Sequence, residues 1–223
     1  MPIGATRLGY RFLPIPPSDG SGPPRPQYFN SSFEAGINGW TVIPTRIILG
    51  TTTILGYPVP GTEPTPVQVV TASGGGPATY LSAIERIDLA SDGGTACLKL
   101  FNNTLQTSVA GATVYGPAVY SNVAVIAEVG DSITYEWKAV SGGDAYRSLA
   151  YLLEKNTGRI IIMFTAAGLS VDAATVWQKQ TRTFVEGEAG DYHFVFVSGS
   201  QDSTNGKILG ASLLIDNVAI VKA

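Results

Sequence analysis

Residues 190–221 read GDYHFVFVSGSQDSTNGKILGASLLIDNVAIV, and this stretch decides the fold. Two apolar runs flank a loop of small polar residues. In the first, Tyr192, Phe194 and Phe196 alternate with His193, Val195 and Val197. Successive side chains of a strand point to opposite faces, so both faces of this strand are apolar. It is expected to be central, covered by an opposing sheet on one side and by an arm, a loop or a partner on the other. The second run, residues 211–221, reads as a long closing strand.

The same grammar extends upstream. Strands are expected at residues 40–43, 46–49, 52–55, 80–88, 96–102, 112–118, 121–127, 132–140, 147–156, 159–165 and 176–184. Between the later ones stand turn signals: DGG at 92–94, EVGD at 128–131, SGGD at 141–144, KNTG at 155–158 and EAGD at 188–191. Regularly spaced short strands with Gly- and Asp-rich turns are the mark of an antiparallel sandwich. In SITYEWKAV, Ile133, Tyr135 and Trp137 face one way and Thr134, Glu136 and Lys138 the other. One short helix is expected over 166–175.

Composition narrows the function. The 223 residues are 44% hydrophobic and 14% charged, well below the usual quarter or so for charge. The net charge of −3 and the absence of a basic block argue against nucleic acid, which needs clustered Lys and Arg. No apolar run is long enough to cross a bilayer as a helix. A single cysteine, Cys97, forms no internal disulfide and is expected as a small buried hydrophobe. A single histidine, His193, excludes a multi-histidine metal site and is expected to be structural.

The start of the chain differs from the rest. Prolines at 2, 14, 16, 17, 23, 24 and 26 forbid helix and central strand. Residues 1–28 therefore read as an extended, Pro-rich arm, with Ile3, Leu8, Tyr10, Phe12 and Leu13 as its docking side chains. The arm either lies across its own sandwich or docks into another chain. Read from Met1, the arm has no charged stretch followed by an unbroken apolar core, so it is not expected to be a secretory signal. Residues 29–223 are expected to form the sandwich, with an insertion at 44–80 rich in Gly and Pro.

Four segments taken together resemble the galactose-binding-like, carbohydrate-binding-module family of jelly-roll β-sandwiches. They are NSSFEAGINGW at 30–40, TACLKLFN at 95–102, VGDSITYEWKA at 129–139, and the closing stretch at 190–221. The resemblance is to the version found in phage structural proteins and bacterial surface proteins. It implies an all-β, antiparallel jelly-roll β-sandwich, with a first strand at 29–34 lying beside the last strand. It also implies that Glu34 and Asp216 hold a structural calcium ion, helped by backbone carbonyls. The alternative is that both carboxylates only hydrogen-bond backbone at strand ends. Asp202, in the loop at 201–205, reads as part of a solvated turn.

Sugar binding in such sandwiches uses aromatic faces with a few orienting polar groups. The candidates are Tyr135, Trp137, Tyr146, Tyr151 and Trp177, and the competing role for each is core packing. Tyr57 and Tyr115 are placed to be more exposed but stand isolated. Carboxylates such as Glu128, Asp131, Asp144, Glu188 and Asp191 sit in turns and do not read as a hydrolytic pair. The expectation is thus a non-enzymatic protein. The first function expected is a structural protein of a virus particle, multimeric in the assembly and displayed on a phage capsid or tail. It would bind other virion proteins through its arm and be assembled in the host cytoplasm. The alternative is an extracellular carbohydrate-binding module or lectin-like adhesin that recognises cell-surface glycans.

Overall fold

The computed structural model describes residues 32–34, 37–43, 47–49, 80–83, 96–102, 105–106, 113–168, 176–203, 207–208 and 210–223. The arm, with Ile3, Leu8, Tyr10, Phe12 and Leu13, lies outside them, as does most of the 44–80 insertion. So do the expected strand at 52–55 and the turn at 92–94.

The strands are β1 (Trp40–Ile43), β2 (Ile47–Leu49), β3 (Tyr80–Ala83), β4 (Cys97–Asn102), β5 (Leu105–Gln106), β6 (Thr113–Ser121) and β7 (Val125–Ala127). They continue with β8 (Ser132–Ser141), β9 (Ala145–Glu154), β10 (Ile160–Gly168), β11 (Gln178–Thr183), β12 (Gly190–Gln201), β13 (Lys207–Ile208) and β14 (Ala211–Val221). They form an all-β sandwich of two antiparallel sheets. One sheet runs β1-β6-β12-β9-β10, with β2 also pairing β6 and β7 also pairing β12. The other runs β11-β8-β14-β4-β3. A two-residue ribbon joins β5 and β13.

Alternation builds the core between the sheets. Phe194 and Phe196 of β12 turn inward beneath Trp40 of β1, with ring centroids 6.4 and 6.0 Å from its own. Tyr135 of β8 meets Phe196 edge-on at 5.6 Å from the opposite sheet. Phe164 of β10 stacks on Trp137 at 4.5 Å and 9°. Deeper still, the Asn102 amide of β4 donates to the Gly116 carbonyl of β6, and its Oδ1 accepts from the Ser200 hydroxyl of β12 at 3.0 Å. This buried polar bridge ties one sheet to the other, and a buried amide needs such partners.

Several expectations are corrected. The segment at 32–34 is not a strand: Phe33 has a φ of 56°, and its ring packs on Trp40 at 5.5 Å. The rest of the strand expected beside the closing one, at 29–31, lies outside the described residues, and β1 corresponds to the expected second strand. β1 edges the seven-stranded sheet, whereas β14 lies between β8 and β4 in the other. Residues 166–168, expected to begin a helix, continue β10, held by pairing with 146–148 of β9. Local composition there favoured a helix, and the cross-strand ladder overrode it. The two strands expected at 112–118 and 121–127 are one long strand, β6, followed by the short β7. Both lie along the same flank of β12. At the join, the Ser121 Oγ accepts the Phe194 amide at 3.0 Å and the Ser121 carbonyl meets His193 Nδ1 at 2.6 Å. His193 and Cys97 are both buried.

Phe164→Ala removes the ring that stacks on both Trp137 and Tyr135. It is expected to lower unfolding stability by about 3–5 kcal/mol, read as a lower urea midpoint at an unchanged slope.

Candidate functional site

The aromatic residues expected to meet a sugar are mostly interior. Tyr135 and Tyr151 are 1% and 0% exposed, and Trp137 and Tyr146 are 7% and 8%. None of the four offers a ring face to solvent. Burial among Phe164 and Phe196 also pushes the Tyr135 hydroxyl well above its ordinary pKa. The Tyr146 ring packs so closely on Gly168 that a Cβ there would collide with it. Only Trp177 is half-buried, at the entry to β11 on the five-stranded sheet.

The two expected calcium ligands are both bonded to backbone. Glu34 Oε1 accepts the Ala96 amide at 3.0 Å. Asp216, wholly buried, accepts the Asn217 amide at 2.8 Å, where the left-handed Asn217 (φ 49°) helps form a bulge in β14. Asn217 Nδ2 also donates to Glu136 Oε2 at 3.2 Å. Among the described residues no group of three or more His, Cys, Asp or Glu side chains is placed to hold a metal ion.

The turn carboxylates are spent locally. Burial opposes the charge of Asp131, but hydrogen bonds from Lys222 and from the Glu128 and Ala223 amides outweigh it and hold its pKa below the ordinary value. Asp144 Oδ1 accepts the amide and hydroxyl of Ser203 at 3.0 and 2.8 Å. Asp202, expected in a solvated turn, is buried, because that turn folds back onto Asp144. Glu188 is held low by its Arg182 partner at 2.5 Å. Glu154 accepts from the Thr157 hydroxyl and amide and from the Asn156 amide, which brings its pKa down to about 2. A recess of about 520 Å³ opens beside Glu154, Asn156, Thr157, Arg159 and Ala189. Its charged groups already face each other's turns: Arg159 donates to the Gly187 and Ala189 carbonyls and to the Tyr192 hydroxyl.

A different recess has polar groups to spare. It holds about 120 Å³ on the seven-stranded sheet and is lined by Tyr115 of β6, Arg147 to Leu149 of β9, and Thr165 to Ala167 of β10. β12 lies between β6 and β9 here, yet the Tyr115 ring reaches across it. It can do so because the intervening residue is Gly199, where a Cβ would meet both the Tyr115 ring and the Arg147 carbonyl oxygen. Arg147 Nε donates to Gln201 Oε1 at 2.7 Å, which fixes the plane of the guanidinium. Among the described residues its two Nη groups have no hydrogen-bond acceptor. Thr165 stands exposed at the rim. An oriented guanidinium and an exposed hydroxyl thus converge on one small recess, backed by the buried Tyr115 ring.

Of this set the sequence named only Tyr115, expected as an exposed loop aromatic; it lies instead within β6 and is 3% exposed, because β6 is paired on both flanks. The signal for Arg147 was available: it is the one charged outward position in AYRSLAYLLE before Glu154. Gln201 had no such signal, because its approach depends on the register of β12 against β9.

No protein-family profile matches the chain, and no curated protein matches it. Among solved structures it is similar to a family 16 carbohydrate-binding module, at 16% identity and a TM-score of 0.40, covering 86% of this chain and 97% of that one. It is similar to a family 61 module, TmCBM61, solved with β-1,4-galactotriose, at 9% identity and 0.43, covering 89% and 99%. It is also similar to the K3 adhesin domain of Lys-gingipain from Porphyromonas gingivalis, at 12% and 0.40, covering 88% and 100%. The two-sheet architecture rests on this chain's own strand pairing.

Glu154 titrates near 2 in the folded chain against an ordinary 4.5. A depressed carboxylate contributes stability above its unfolded pKa and loses it as pH falls toward the folded one. The destabilisation by Glu154→Gln is therefore expected to be greatest at neutral pH and to shrink between pH 4.5 and 2, followed by urea midpoints across that range.

Proposed function

We propose that this chain is a non-catalytic glycan-binding module that takes a sugar unit in the recess at Tyr115, Arg147 and Thr165. The observation that carries the reading is the Arg147 guanidinium, oriented by Gln201 and with no acceptor on its Nη groups among the described residues, beside the exposed Thr165. Sugars present rings of hydroxyls, which the guanidinium and the exposed Thr165 hydroxyl answer, while the Tyr115 ring, 3% exposed, backs the recess rather than offering a stacking face. The recess is small, which suits a terminal sugar unit or a single ring of a longer chain. The likenesses to carbohydrate-binding modules are consistent with this reading but do not carry it. A module of this kind works outside the cell or on the surface of a particle.

The reading as a phage structural protein draws its support from sequence alone: the low charge and the apolar arm at residues 1–28. No feature of the described residues favours it over the first.

Glycan-array screening of the intact chain is expected to return specific binders. Arg147→Ala and Thr165→Val are expected to weaken them, the former by roughly ten- to a hundredfold, as for a lost hydrogen bond to a charged group. Melting temperature should change little in either variant. Trp137→Ala, by contrast, is expected to unfold the core. Absence of any specific glycan, or binding untouched by Arg147→Ala, overturns the proposal.

A further inference from the structure

Arg147 stands apart from the other described arginines. Arg182 is ion-paired with Glu188. Arg159 is engaged by the Gly187 and Ala189 carbonyls and the Tyr192 hydroxyl, and its charge helps hold the Glu188 carboxyl below its ordinary pKa. Arg147 meets no carboxylate among the described residues. Its partner there is the neutral amide oxygen of Gln201, which accepts from Nε at 2.7 Å. No acidic side chain lines the recess. The carboxylate nearest in sequence, Asp144, has one oxygen occupied by the amide and hydroxyl of Ser203.

The recess thus holds a half-buried positive charge whose counter-charge is not among the described residues. A molecule that covers Arg147 strips water from this cation. A neutral sugar satisfies the Nη hydrogens but leaves the charge uncompensated, which costs free energy. A carboxylate answers both needs, because its hydrogen bonds to a guanidinium are roughly twice as strong as neutral ones. Geometry favours it as well. With Nε engaged by Gln201, what remains is the end formed by the two Nη groups, a planar fork that matches the two oxygens of a carboxylate.

We propose that the sugar taken by this recess is an acidic one, bound through its carboxylate to the Nη end of Arg147 and through a hydroxyl to Thr165. The inference rests on the glycan reading and narrows it to uronic- or sialic-acid units. The volume of about 120 Å³ suits the carboxylate and the ring edge that carries it. Thr165 and Ala167, both exposed at the rim, leave the rest of the glycan in solvent. Gln201 sets the preference, because a carboxylate in its place would neutralise Arg147 from within the protein.

The test places the intact chain on an array of glucuronate-, galacturonate- and N-acetylneuraminate-terminated oligosaccharides. Each is printed beside its carboxyl-reduced, neutral counterpart and beside a sulfated form of that counterpart. The acidic member of at least one pair is expected to bind about tenfold tighter than the neutral one, and the pair that responds tells a uronate from a sialate. Arg147→Gln is expected to abolish the preference. Gln201→Glu, which keeps the guanidinium, is expected to reduce it severalfold; should Arg147→Gln fold poorly, as read by melting temperature, Gln201→Glu decides alone. Equal binding of acidic and neutral members overturns the acidic inference and leaves the glycan reading standing. So does binding confined to the sulfated forms, or a preference that survives either substitution in a folded chain. Binding of no sugar at all overturns both.

Discussion

The burial of β12 on both faces is the constraint on which the structure depends. A twelve-residue strand that carries aromatic rings on one side and valines on the other has no wet face, so it must sit at the centre of a sheet. Centrality sets its neighbours, β6 with β7 on one flank and β9 on the other. Its inward rings then gather Trp40 from the edge of the same sheet and Tyr135 from the opposing one. The Asn102 bridge to Gly116 and Ser200 adds direction to what is otherwise nondirectional packing.

The same strand also shapes the surface. Where its alternation breaks, between Val197 and Gly199, the ladder shifts and the side chain is absent. A bulge re-aims its neighbours, and here it lets the Tyr115 ring approach β9. The recess with Arg147 is thus a consequence of one irregularity in an otherwise apolar strand. At the other end, β12 begins at a set of turns held together by Arg159, Glu154 and Glu188, and these charges are satisfied within the protein. Charge at one end is structural, and at the other the Arg147 Nη groups meet no acceptor among the described residues.

Aromatic residues illustrate why a plausible site in sequence dissolves in three dimensions. Tyr135 and Trp137 belong to a strand with clear alternation, and alternation tells only that they share a face. It is the second sheet, laid over that face, that makes it the interior. Tyr115 and Arg147 are 32 positions apart and meet only through the pairing of three strands.

The chain's own order of residues was enough to specify an all-β sandwich, the positions of most strands, the two-sided burial of β12, and the structural character of His193 and Cys97. These follow from local alternation and turn chemistry, which act over a few residues. Tertiary structure alone decided that β1 and β14 lie in different sheets, that residues 166–168 are strand, and that Arg147, Gln201 and Tyr115 converge. Those outcomes depend on register between distant strands, and register is set by the collective fit of side chains on a shared face, a quantity no single segment contains.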